Sequence, residues 1–202
     1  MEPRLFDSSK EFEMVIFSGG EKRCIVRFPS DEEWIRWAYR RRQLTHVLSP
    51  NKTQTQIVNM RTAAAELLAK IRIDKDGPEF DAAEARSVID RLRTADVISS
   101  EREDAAYRIR LKVAGAETEH VLRMPKRADA DDYADESIKS TDGRNSRETK
   151  ILLDPAGPLY DKVLVSNSGY AGAVPIVHKE AAIDEVIAQI RILEEGPASP
   201  EA

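Results

Sequence analysis

The residues best suited to bind a phosphate backbone are four arginines interleaved with aromatic residues; they are Arg36, Arg40, Arg41 and Arg42, with Trp34, Trp37 and Tyr39 among them. Arginines bind phosphate and aromatic rings stack on bases, so this combination is typical of nucleic-acid binding. However, the acidic run 31–33 lies close by and the chain has a formal net charge of −5, which disfavours a polyanionic partner. We therefore interpret the tryptophans as core residues and the arginines as a solvated helix end. Nucleic-acid-associated regulation is kept as the alternative function.

A second basic set lies on the most regular strand pattern of the chain. Tyr107, Ile109, Leu111 and Val113 alternate with Arg108, Arg110 and Lys112. This alternation predicts a strand with one buried face and one basic, solvated face. Together with Arg36 and Arg40–Arg42, these three residues form the predicted interaction surface.

Other candidate chemistry is weak. His46, His120 and His178 lack the spacing of a metal site, and we interpret His178 as a surface or boundary residue. Cys24 lies in an apolar strand pattern, which favours an inert buried thiol. The segment 166–173 is glycine-bearing and could present amides to an anion, but it follows a predicted helix and lacks the ending of a phosphate-binding loop. We predict no catalytic, cofactor-binding or metal-binding residue and no enzymatic activity. An enzyme using the Gly169–Pro175 loop remains a further alternative.

Composition restricts the class of protein. The chain has 202 residues, of which 41% are hydrophobic and 33% charged, with a mean hydropathy of −0.48. No apolar run approaches the roughly 20 residues that span a bilayer, and the first residues do not resemble a signal peptide. A single cysteine allows no intrachain disulfide. These features predict a cytoplasmic protein with no membrane partner.

The strongest pattern is an internal repeat. Pro29 and Pro125 lie 96 residues apart, each at the end of an apolar run, and Trp37 and Tyr133 repeat that spacing. The pattern before Gly77 recurs before Gly169, 92 residues later. A constant spacing of this kind indicates that one supersecondary unit has been duplicated.

Each unit is predicted to begin with a β-hairpin that a proline ends. Ser30 and Glu33 form a capping box for the first helix. The predicted helices cover about 31–44, 57–73, 81–94, 129–138, 154–165 and 175 onward, and 49–56 and 137–150 are predicted loops. The expected fold is α+β, an internally duplicated β-β-α-α-α unit with hairpins packed on helices. The units cover 11–97 and 106–193, and 194–202 is a predicted flexible tail.

The segments 24–34 (CIVRFPSDEEW) and 120–126 (HVLRMPK) resemble the openings of small phage and prophage tail-assembly proteins, including tail assembly chaperones, in which a hairpin ending in proline leads into a helix. This resemblance implies a protein that holds a tail subunit before or during polymerisation, without catalysis, in the host cytoplasm. The leading expectation is thus a non-enzymatic protein-interaction module of phage or prophage origin. Its expected partner is a tail or other assembly subunit, bound without a cofactor.

Overall fold

The fold is α+β, as predicted. A computed structural model of the chain describes residues 4–18, 20–40, 42–49, 52–58, 60–143 and 146–195, without the side chains of 42–58, 142–146 and 192–195. The predicted tail 194–202 lies mostly outside these residues. Among the described helices, none is long and apolar enough to cross a membrane.

The first unit begins with an antiparallel hairpin and a capped helix. Its elements are β1 (Glu11–Phe17), β2 (Glu21–Arg27), α1 (Asp31–Arg40), β3 (Arg42–Ser49), β4 (Lys52–Val58), α2 (Met60–Ile71) and α3 (Ala82–Arg93). The predicted capping box is confirmed: the backbone N–H of Glu33 donates to Ser30 Oγ at 3.3 Å, and the N–H of Ser30 donates to the Glu33 carboxylate at 3.0 Å. These bonds satisfy backbone groups that a helix start otherwise leaves unpaired.

The second unit follows one additional strand. That strand is β5 (Asp96–Glu103); the unit itself comprises β6 (Ala106–Val113), β7 (Ala116–Arg123), α4 (Arg127–Ser137), β8 (Ile138–Gly143), β9 (Ser146–Ile151), α5 (Ala156–Val163), β10 (Leu164–Ser168) and α6 (Ile176–Glu195). Strand β5 was not predicted, because its sequence is mostly polar. It pairs with β6 at the edge of a four-stranded sheet of order β10-β7-β6-β5.

The two units share the order hairpin, helix, hairpin, helix, helix; strand β10 stands between the last two helices of the second unit, where the first unit has an isolated bridge. After α2, Arg72 forms an antiparallel bridge to Val26 of β2. After α5, Leu164 of β10 pairs in the same way with Leu122 of β7. Leu122 follows Val26 by 96 residues and Leu164 follows Arg72 by 92, the two spacings found in the sequence. The repeat therefore extends to the hydrogen-bonding partners of the strands.

Each unit contains a second hairpin where a loop was predicted. Residues 49–56 fall largely within β3–β4, and 137–150 fall largely within β8–β9. The predicted first helix was also too long: α1 ends at Arg40, and 42–49 form β3. The sequences of these hairpins lack the apolar alternation that marks a half-buried strand. Backbone pairing defines them instead.

The tryptophans are buried, as predicted. Trp34 is 0% exposed and Trp37 is 3% exposed, and their rings meet edge to face with centroids 5.4 Å apart. They belong to a hydrophobic cluster that draws on both units, including Leu122 and Ile183. Cys24 is also buried, as predicted, and burial raises the pKa of its thiol.

Candidate functional site

The two second hairpins pair with each other in one sheet. Its order is β4-β3-β9-β8, with every neighbouring pair antiparallel. Within this sheet, the units meet where β3 pairs with β9; Leu44 lies opposite Glu148 and Thr45 opposite Arg147. We call these four strands the shared sheet, because each unit contributes one hairpin to it.

The shared sheet ends in β4 on one side and β8 on the other. Within the part of the chain that the structure describes, neither strand has a neighbour on its outer side. An unpaired edge presents a row of backbone N–H and C=O groups that can accept another strand. This geometry makes both edges candidate binding surfaces.

Helices from both units hold the hairpins in place. Strand β3 begins two residues after α1 ends, and β8 directly follows α4. The Tyr39 hydroxyl of α1 donates to Asp154 Oδ2 at 3.1 Å, close to the end of β9. Helix α5 begins at Ala156 and has no side-chain cap. The Asp154 carboxylate thus links the two units beside the shared sheet.

An apolar groove lies at the base of the β8–β9 hairpin. Ile138 and Ile151 are cross-strand partners and are 53% and 46% exposed. They line a cavity of about 310 Å³ together with Ile187 and Ala188 of α6. Tyr133 closes its inner side by donating to Asp184 at 2.8 Å, and burial raises the pKa of the Asp184 carboxyl. Apolar side chains of a bound strand could enter this groove.

Carboxylates neutralise much of the predicted basic surface. Arg108 pairs with Glu103 at 2.7 Å and with Glu119 at 2.5 Å, and Arg110 pairs with Glu119 at 3.2 Å. Lys112 is exposed and lies opposite Glu117 in the register. The face predicted to be basic is therefore mixed in charge, because acidic residues of β5 and β7 flank β6.

The arginines of α1 are also paired where their side chains are described. Arg36 bonds Glu32 at 2.9 Å, one turn earlier, and Arg40 pairs with Glu66 of α2. The side chains of Arg41 and Arg42 lie outside the described residues, although Arg42 begins β3. The two predicted basic sets lie on different elements, with Arg36 and Arg40 on α1 and Arg108, Arg110 and Lys112 on β6.

Two of the three histidines are buried in a hydrogen-bonded cluster, so the interpretation of His178 as a surface or boundary residue was wrong. The Tyr170 hydroxyl lies 3.1 Å from His120 Nε2 and 3.3 Å from His178 Nδ1. Tyr160 adds a contact of 2.7 Å to His120 Nδ1. Burial lowers the pKa of His120 to about 4 and that of His178 to about 3, so both imidazoles are neutral near pH 7. Sequence spacing gave no sign of this cluster, because β7, the Gly169 turn and α6 meet only in the folded chain.

His178 also lines a cavity of about 710 Å³ whose apolar wall includes Phe6, Phe12 and Phe28. Among the described residues, no group bonds its second ring nitrogen, Nε2. Neutral imidazole can donate or accept at that atom, depending on its tautomer. Described residues contain no group of acidic, histidine or cysteine side chains placed to hold a metal ion.

The start of α6, which follows the loop that the sequence disfavours as an anion site, is bound by a carboxylate of the protein itself. Asp31 Oδ1 accepts a hydrogen bond of 2.8 Å from the backbone N–H of Ile176. A helix N-terminus attracts negative charge, and here the carboxylate comes from α1. The predicted helix 154–165 was slightly too long, because α5 ends at Val163 and strand β10 (Leu164–Ser168) leads to Gly169.

Comparison of the chain with protein-family models, with curated proteins and with solved structures finds no match.

Proposed function

We propose that this protein is a non-catalytic protein-interaction module that binds its partner by strand addition to the shared sheet. The observation that carries the proposal is the sheet order β4-β3-β9-β8, in which no described residue pairs with the outer side of β4 or β8. Strand addition gives affinity through main-chain hydrogen bonds and specificity through neighbouring side-chain pockets. The groove beside Ile138 and Ile151 supplies such a pocket next to the β8 edge.

The partner that fits this proposal is a tail or other assembly subunit of a phage or prophage, as the resemblance of 24–34 and 120–126 implies. A protein that holds subunits before polymerisation must cover surfaces that would otherwise associate. An open sheet edge can cover a strand of the subunit and release it later without any covalent step. The setting we propose is the host cytoplasm.

Ion pairing argues against the nucleic-acid alternative. Arg36, Arg40, Arg108 and Arg110 each pair with a glutamate. Binding to phosphates would have to replace these pairs, which lowers the gain from counterion release. We therefore rank nucleic-acid-associated regulation below protein binding.

The test is capture of the partner by the full chain in its native host. The tagged protein should recover a tail or assembly subunit, identified by mass spectrometry. The variant Thr141→Lys places a charge on the exposed β8 edge, and charged edge residues oppose strand addition. We expect this variant to lose the subunit.

Val97→Lys is the matched control. Val97 is 46% exposed and lies on β5, the edge strand of the other four-stranded sheet. This variant adds the same charge to a different edge and should retain the subunit. Equal recovery by both variants would remove the β8 edge from the mechanism.

A further inference from the structure

We propose that this chain associates with copies of itself head to tail, with the β8 edge of one molecule added to the β4 edge of the next. This inference rests on the proposed function and deepens it, because it names a second copy of the chain as a partner of the shared sheet. Its starting point is the contact between β3 and β9, which joins the two units within one molecule.

The internal contact is a template for the external one. In the repeat, β8 is the equivalent of β3, because each follows the first helix of its unit. Strand β9 is the equivalent of β4, because each precedes the second helix. The contact therefore joins the first strand of one hairpin to the second strand of the other. The same two kinds of strand remain at the edges, namely a first strand, β8, and a second strand, β4.

Such a contact is not closed by a two-fold axis. In an isologous dimer, one strand would pair with its own copy, but here the pairing strands differ. Heterologous contacts of this kind form a ring if the rotation closes and an open filament if it does not. The strand directions agree with continuation, because every neighbouring pair in the shared sheet is already antiparallel.

The hairpin registers specify which residues should meet. The first pair of one hairpin is Arg42 with Val58, and that of the other is Ile138 with Ile151. Aligning these pairs makes Ser140 the equivalent of Leu44, and Thr55 the equivalent of Glu148. Leu44 and Glu148 are partners in the internal contact. Ser140 of one molecule should therefore lie opposite Thr55 of the next.

The sequence of β4 does little to prevent addition. Proteins commonly protect edge strands with prolines, inward-pointing charges or several lysines. The strand Lys52–Val58 reads KTQTQIV, with one charged residue, at its first position, and no proline. The β4 edge therefore lacks the features that would prevent a strand of a second copy from pairing with it.

Directional disulfide trapping tests the proposal with the purified full chain. Thr55→Cys and Ser140→Cys are prepared separately and mixed with oxidised glutathione, which takes up the electrons as two thiols form one disulfide. We expect a covalent dimer in the mixture, and in each variant alone no more than in the wild-type chain. Native Cys24 is buried and serves as the background in every sample. A dimer formed by Thr55→Cys alone would show a two-fold contact and overturn the head-to-tail arrangement.

Sedimentation velocity supplies a second readout without a covalent trap. The wild-type chain should show concentration-dependent association, Thr55→Lys should shift it to monomer, and Val97→Lys should leave it unchanged. Circular dichroism checks that each variant is folded. Monomer at every concentration, with no mixed disulfide, overturns self-association. Capture of a subunit that depends on the β8 edge would then still support the proposed function, so the two failures are distinguishable.

Discussion

Asp31, the first residue of α1, caps α6, the last helix of the chain. Its Oδ1 atom accepts the backbone N–H of Ile176 at 2.8 Å, across 145 positions of sequence. The bond places the start of a helix of the first unit against the start of a helix of the second. It therefore contributes to joining the two units as well as to starting α6.

Removing this contact should destabilise the fold. Asp31→Ala leaves the α6 N-terminus without its carboxylate, and loss of a helix cap costs about 0.5–2 kcal/mol. Asp31→Asn keeps an acceptor oxygen and should cost less. Urea denaturation measures the difference, and Asp81→Ala, which removes the ordinary cap of α3, is the control. An unchanged midpoint for Asp31→Ala would show that the contact does not contribute to stability.

Gly169 should tolerate no side chain. It has φ +89°, and an added Cβ would lie 2.5 Å from the Glu117 carbonyl oxygen. Its own carbonyl accepts the N–H of Phe6 at 2.8 Å. We expect Gly169→Ala to destabilise the protein by more than about 1 kcal/mol. The clash of the added Cβ with the Glu117 carbonyl adds to the energy that alanine needs to adopt a positive φ.

The matched control for this substitution is three residues away. A Cβ at Gly172 would meet no atom within 4 Å. Gly172→Ala should therefore leave the melting temperature nearly unchanged. Equal shifts for the two variants would contradict the close approach at Gly169.

Acidification should weaken the fold through the two buried histidines. Burial holds the pKa of His120 near 4 and that of His178 near 3, below the value of about 6.5 in an unfolded chain. The unfolded chain therefore binds more protons in this range, so stability is complete above pH ~6.5 and falls as the pH decreases toward 4. Between its folded and unfolded pKa values, each histidine should lower the free energy of unfolding by about 1.4 kcal/mol for each pH unit of acidification.

Urea denaturation at a series of pH values measures this slope. His178→Phe removes one of the two titrating groups and should reduce it by about half. Protonation of Glu33 affects stability at lower pH, because the hydrogen bond from Arg27 lowers the pKa of its carboxyl to about 2. Constant stability from neutral pH to about pH 5 would contradict the burial of the two imidazoles.

Trp34 should be among the costliest positions to truncate. It is fully buried and contacts both Phe28 and Trp37. A buried Trp→Ala substitution costs about 3–5 kcal/mol, whereas Trp34→Phe keeps most of the aromatic contact and should cost less. Denaturation midpoints compare the two. A small effect of Trp34→Ala would place the residue at the surface.

Nucleic-acid binding should be weak at physiological salt. Four arginines of the predicted interaction surface, Arg36, Arg40, Arg108 and Arg110, are paired with glutamates, and the net charge is −5. Fluorescence titration with labelled duplex and single strands measures the affinity. Nanomolar binding that Arg40→Glu with Arg41→Glu abolishes would reverse our ranking of the two functions.

The sequence by itself determined the α+β class, the first hairpins and most of the helices. Pro29 and Pro125, the capping pair Ser30 and Glu33, and the apolar alternation of β6 are local signals. Each acts through the backbone of its own segment, so it can be recognised without knowing the rest of the fold. The burial of Trp34 followed from the same helical spacing.

Only the tertiary structure decided how the two units join. The second hairpins lack apolar alternation, so backbone pairing across the units, such as Leu44 with Glu148, defines them rather than an apolar pattern. The cluster around Tyr170 collects residues 50 positions apart, and Asp31 reaches Ile176 from the other unit. These contacts arise from packing of separate segments in space, and no periodicity in a single segment records them.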